Sequence, residues 1–166
     1  EVAVAATAPG RKASGRGQAP LAPARKVSEI TAAGPVPRTS TGLAEFDRVL
    51  GGGLVAGQVL LLSGEPGAGK STLLLTVADT IAERTGRPAL YVSGEESVDQ
   101  IAVRARRIGV GSPNLLLADE NDLAAVIGHV DAHGSDVALV IVDSVQSIAS
   151  ATPRRSATAL VWSSSR

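Results

Sequence analysis

The sequence predicts an α/β fold, a mostly parallel sheet flanked by helices, and three observations predict it. Apolar runs of strand length alternate along residues 59–142 with segments whose apolar residues recur every three or four positions. The last of these runs, Val137 to Val142, is apolar throughout, as a strand buried on both faces requires. Between the first run and the first long helical segment lies Gly64-Glu65-Pro66-Gly67-Ala68-Gly69-Lys70-Ser71-Thr72, which fits the pattern G-x-x-x-x-G-K-[ST].

The elements follow in order. Residues 1–28 are rich in Ala, Gly and Pro and carry Arg11, Lys12, Arg16, Arg25 and Lys26, with no acid from residue 2 to residue 28, so they read as a disordered, mildly basic linker. From Thr39 to Leu50 the apolar positions Leu43, Phe46, Val49 and Leu50 predict a short amphipathic helix that ends at Gly51-Gly52-Gly53. Val59–Ser63 is the first expected core strand. A helix from Lys70 to about Thr85 follows, with Leu73, Leu74, Val77, Ile81 and Ala82 as its buried face and Gly86 and Pro88 as its stop. Ala89–Ser93 is the second strand, and Ser97 with Gln100 forms a capping-box pattern for a helix to Arg107. The third strand is expected at Asn114–Ala118, the next helix on Leu123, Val126, Ile127 and Val130, and the fourth strand at Val137–Val142. Parallel strands joined through helices collect their ligands at the carboxyl ends of the strands, where the candidate functional residues fall.

Composition bounds the function. The 166 residues suit one α/β core, and 16 basic against 16 acidic residues predict no partner from net charge. Cys is absent, which excludes disulfides and thiolate metal sites within these residues, and no apolar stretch is long enough to span a bilayer. A cytoplasmic location, with no membrane partner, is therefore expected. Phe46, Tyr91 and Trp162 are the only aromatic residues, so platforms for stacking single-stranded bases are scarce. Met is also absent and the chain opens on Glu1, which leads to the expectation that it belongs to a longer translation product.

The glycine-rich stretch has the chemistry of a phosphate-binding loop. Small residues let successive N–H groups turn inward around a di- or triphosphate, and the following helix N-terminus adds positive partial charge. Residues 64–72 are the candidate ATP-binding loop, in which Lys70 reaches the terminal phosphates and the Ser71 hydroxyl sits on Mg²⁺. Asp143, at the end of an apolar strand about 70 residues later, is the candidate second Mg²⁺ residue, the Walker B arrangement; the plainer reading has it capping a turn. Glu95 and Glu96 follow the second strand. A carboxylate there can hold a water in line with the γ phosphate, and Glu95 is the candidate for that catalytic role, with Lys70, and Glu96 as the substitute. Adjacent glutamates also occur simply as charges favoured at a helix N-terminus. His129 and His133 lie four apart on an expected helix, but without a third ligand nearby they read as surface or core residues.

Taken together, Arg38 to Gly53, Gly64 to Thr72, Tyr91-Val92-Ser93-Gly94-Glu95-Glu96-Ser97 and Leu139 to Ser147 resemble the RadA/Sms bacterial DNA repair ATPases, over about residues 28–148. The resemblance implies a RecA-like P-loop NTPase core, spanning residues 29–148 and incomplete at its C-terminal side. It also implies a DNA-dependent ATP hydrolase of homologous recombination that uses Mg-ATP, assists branch migration and forms hexameric rings. Single-stranded or branched DNA and a RecA-type recombinase are its implied partners. By likeness to RecA-like enzymes Glu95 activates water, and Arg104 or its neighbours lie over the adenine. The family's four-cysteine zinc ribbon, its Lys-Asn-Arg-Phe-Gly motif and its Lon-protease-like domain have no counterpart here, so zinc is implied for the family without ligands in this chain. Residues 149–166 form an atypical tail, and a truncation or shifted frame near residue 149 is the expectation. Two alternatives stay open: another RecA-like ATPase of KaiC-like or replicative-helicase-like type, and a nucleotide-binding fragment without turnover.

Overall fold

The structure, a computed structural model, describes residues 24–31 and 34–149. The expected linker up to residue 23 and the tail from residue 150 lie outside them. The chain divides at Gly34, and the elements that position the site all fall in the second unit, which begins at Pro35. In the first unit, Val27–Glu29 make one 3-10 turn, with Arg25 Nη2 donating to the Glu29 carbonyl at 2.9 Å.

Three parallel strands carry the core: β3 (Ala89–Ser93) lies between β4 (Leu115–Asp119) and β5 (Leu139–Asp143). The register pairs Tyr91 with Leu117 on one side and with Ile141 on the other. Because alternate residues point to opposite faces, two cores result. On one face Tyr91, Leu139 and Ile141 meet α2 (Lys70–Thr85) and α3 (Val98–Arg107) through Leu75, Ala78, Ile81, Ile101 and Ala105. On the other, Leu90, Val92 and Val140 meet Val126 of α4 (Leu123–His133). The expected parallel α/β architecture is present.

Several elements differ from the sequence reading, each for a physical reason. The segment 39–50 is helical only over Ala44–Val49, here α1, because Asp47 holds the preceding loop in another conformation. Its carboxylate accepts hydrogen bonds from Ser40 Oγ (2.6 Å), Thr41 Oγ1 (2.7 Å) and Thr41 N (2.8 Å). Arg38–Thr39 (β1) then pairs antiparallel with Leu54–Val55 (β2) across the loop that carries α1, a pairing the apolar pattern does not announce. The tight crossing needs Gly53, whose φ is +125° and where a Cβ would lie 2.5 Å from the Thr39 carbonyl oxygen.

The expected first core strand, Val59–Ser63, joins no ladder among the described residues. Its period-two pattern is real, since Leu60 and Leu62 are half-buried while Val59 and Leu61 are 51% and 60% exposed. The alternation fixes which side faces the core, but it does not supply the backbone partner that a strand requires. On α2 the deepest residues are Leu75, Val77, Ala78, Ile81 and Ala82, while Leu73 and Leu74 are half-buried. On α4 only Val126 is buried, and Leu123 and Ile127 are 42% and 50% exposed. The α3 capping box is present as expected, with Ser97 and Gln100 bonded reciprocally.

Candidate functional site

The loop from Gly64 to Gly69 turns at Glu65-Pro66-Gly67-Ala68, where Ala68 N donates to the Glu65 carbonyl at 3.2 Å. Proline followed by a glycine at φ +78° is the composition of a type II turn. Gly69, at φ +83°, is the N-cap of α2 and gives it no side-chain cap. The first N–H groups of a helix lack intrahelical acceptors, so this sixteen-residue helix presents them beside the loop. Beyond the adjoining residues, no heavy atom of the described residues lies within 4 Å of a Cβ built on Gly67 or Gly69. These two glycines therefore serve the positive-φ backbone conformation rather than a close approach, and the space above the loop is open. Lys70 folds back over it, and its ammonium donates to the Gly64 and Glu65 carbonyls at 2.7 and 2.8 Å. Ser71 and Thr72 lie half-buried in the first turn of α2.

A cavity of about 470 Å³ separates this loop from the end of β5. Gly64, Pro66 and Lys70 line one side, and Ile141 to Gln146, with Asp143 among them, line the other. Ser71 is not among the lining residues. Register brings β3 and β5 to the same level, Ser93 opposite Asp143, and Gly94 N donates to the Asp143 carbonyl at 3.1 Å. Ser93 is buried, and its hydroxyl accepts from Glu95 N (3.2 Å) and Glu96 N (2.9 Å), which turns the chain and separates the two glutamates. Glu95 is exposed and accepts from Ser144 Oγ at 2.6 Å, so it stands beside a residue that lines the cavity. Glu96 turns away to an ion pair with Arg104.

That ion pair continues into the sheet. Arg104 Nη2 donates to the Tyr91 hydroxyl at 3.2 Å, and Tyr91 donates in turn to Asp143 Oδ2. Burial, then the hydrogen bond and charge of Asp143, push the phenol well above its ordinary value, with Glu96 adding to the rise and Arg104 opposing it. The hydroxyl therefore remains a donor. Arg104 is thus bonded to Tyr91 and Glu96, while the expectation that Arg104 or its neighbours lie over the adenine stays an expectation. No sequence pattern pointed to Tyr91 or Ser144 as site residues. The one available signal was a single tyrosine on the same strand face as Ser93, and its partner lies 52 residues away. His129 Nε2 lies 3.1 Å from Glu120 Oε1, and His133 is exposed.

The donor set fits Mg-ATP. An uncapped helix start, two glycines under open space and one lysine suit a polyphosphate. No group of three His, Cys, Asp or Glu side chains gathers among the described residues. Magnesium needs none, because it keeps several waters and takes one or two protein oxygens beside the phosphates. Asp143, which lines the cavity, and Ser71 are the candidates for them. No zinc ligand set appears among the described residues.

Comparison with known proteins agrees with this geometry. The family model described as "ATPase: KaiC" matches residues 39–132, more than half of the chain. The chain is similar to the DNA repair protein RadA of Mycolicibacterium smegmatis, at 50% identity over 82% of this chain and 28% of the relative. It is similar to RadA of Aquifex aeolicus, at 49% identity over 67% and 24%, and to RadA of Escherichia coli, at 43% over 78% and 27%. The chain thus spans about a quarter of the length of the curated relatives it matches. It belongs to the RadA/Sms group of the KaiC-type, RecA-like ATPases.

Proposed function

We propose that this chain binds Mg-ATP and provides the ATP site of a DNA-dependent ATPase that serves DNA repair and recombination. Residues 64–72 cradle the phosphates, Lys70 leaves the loop carbonyls for the β and γ phosphates, and Ser71 and Asp143 hold Mg²⁺ directly or through water. Glu95 orients the attacking water, with Ser144 as its support. The observation that carries this reading is the convergence of the Lys70 loop and Asp143 on one cavity. Residues 29–148 are then the ATPase core, 1–28 a linker and 149–166 an atypical tail. Hexameric assembly, single-stranded or branched DNA, a recombinase partner, branch migration and a cytoplasmic place belong to the same proposal, and rest on likeness to proteins named for DNA repair.

Binding of a fluorescent ATP analogue with Mg²⁺, and phosphate release, measured beside Lys70→Ala, test the site. Hydrogen bonds to charged groups contribute about 1.5–3 kcal/mol each, so the substitution should weaken binding by about tenfold or more. Equal binding by the two proteins would overturn the role of the loop. Binding without phosphate release would support the second reading, a nucleotide-binding fragment, which the Val59–Ser63 segment, in no ladder among the described residues, favours. Among enzymes, single-stranded DNA stimulating hydrolysis in the longer protein favours the repair role, and autophosphorylation without DNA the KaiC-like alternative.

A further inference from the structure

We propose that Tyr91 is a positioning residue for Asp143, and that Arg104 in turn positions the Tyr91 hydroxyl. The inference rests on Asp143 being a magnesium residue and adds how its carboxylate is oriented. In the parallel register Tyr91 lies opposite Ile141, so Tyr91 and Asp143 share a sheet face two residues apart. The tyrosine side chain runs toward the carboxyl ends of the strands and donates to Asp143 Oδ2. Oδ1 has no hydrogen-bond partner among the described residues, and Asp143 lines the cavity that Lys70 also lines.

The polarity of the chain leaves no freedom in this arrangement. A guanidinium can only donate, and an ionised carboxylate can only accept. Since Arg104 Nη2 donates into the Tyr91 oxygen, the phenolic proton is left for Asp143. Glu96 holds the other end of the guanidinium. Tyr91 is fully buried and the Arg104 side chain is 14% exposed, so water competes little with these bonds. Arg104 Nε is buried without an acceptor among the described residues. The guanidinium therefore sits where Tyr91 and Glu96 require it, not where its own pairing would be complete. A hydrogen-bonded outer group of this kind orients a metal-binding side chain, and its loss typically costs at least tenfold in metal affinity.

The test is equilibrium binding of a fluorescent ATP analogue to the 166-residue chain, first in EDTA and then across a Mg²⁺ titration. Tyr91→Phe keeps the ring and removes the hydroxyl. It should bind the analogue in EDTA as the parent does and need about tenfold more Mg²⁺ for half of the magnesium-dependent gain. An unchanged Mg²⁺ requirement, or an equal loss with and without the metal, would overturn the proposal, the latter marking the tyrosine as mere packing. Should Tyr91→Phe lose its circular-dichroism signature, Arg104→Gln gives the same readout. It should raise the Mg²⁺ requirement in the same direction and by less, and no rise would count against the proposal. Asp143→Asn separates the two layers. If it leaves the Mg²⁺ dependence intact, the metal role of Asp143 fails and the positioning role falls with it. If Asp143→Asn abolishes the dependence while Tyr91→Phe leaves it unchanged, only the positioning role fails.

Discussion

Replacing Gly94 with alanine should drive apart the two strand ends that carry the candidate catalytic residues. A Cβ at Gly94 would lie 2.3 Å from Ser147 Oγ, 2.8 Å from Ser147 Cβ and 3.2 Å from Ile148 Cδ1. Rotating the serine hydroxyl could relieve the first contact only by breaking its 2.6 Å bond to the Ser144 carbonyl, and it leaves the second untouched. The 3-10 turn Val145–Ser147 must therefore retreat by about 1 Å to restore ordinary contact, an overpacking that costs about 1–3 kcal/mol. For a domain of this size that corresponds to a fall in Tm of about 4–12 °C. The retreat also pulls Ser144 from Glu95, now joined at 2.6 Å. Thermal unfolding followed by circular dichroism reads the cost. Adding Ser147→Gly removes both of the shortest contacts and should recover most of the lost Tm. A Gly94→Ala protein that melts within about 1 °C of the parent, or one that Ser147→Gly does not rescue, would refute this packing.

Three further outcomes are expected. Burial raises the Asp47 carboxyl, but the hydrogen bonds from Ser40 and Thr41 and the nearby Arg84 outweigh it, so its folded pKa lies below the ordinary 3.8. The stability it contributes is present above pH 3.8 and lost as pH falls through the folded value. Asp47→Asn should therefore flatten this part of the acid-unfolding curve, and an unchanged curve would contradict the assignment. Gly53→Ala places a Cβ 2.5 Å from a backbone oxygen at a positive φ, so urea titration should show a loss of about 1–3 kcal/mol or more as the β1–β2 pairing opens. Hydrogen exchange should be fast at the Val59–Ser63 amides, which join no ladder among the described residues, and slow in β3, which is bonded on both sides; comparable protection would show that the 59–63 segment is paired after all.

What was legible in the sequence was what the chain encodes locally. The loop from Gly64 to Thr72 is a contiguous pattern, and its glycines, lysine and following helix can be read from one stretch. The Ser97–Gln100 capping box is equally local. Period-two burial was legible at Leu60 and Leu62, yet pairing was not, because a ladder depends on a second backbone that no window of residues 59–63 contains. The β1–β2 pairing is not legible in the sequence for a related reason. Its two-residue strands carry too little alternation to register, and its geometry is set by Gly53 meeting Thr39. The Glu96–Arg104–Tyr91–Asp143 chain is the extreme case. Its members look unremarkable one by one: a charge at a helix start, an arginine within a helix, a tyrosine in a strand. Only the parallel register of β3 on β5, with α3 laid over that face, brings them together, and that register joins residues some fifty positions apart. Local chemistry therefore marks the candidate nucleotide loop, while the Tyr91–Asp143 pairing on the other side of the cavity exists only once the sheet has assembled it.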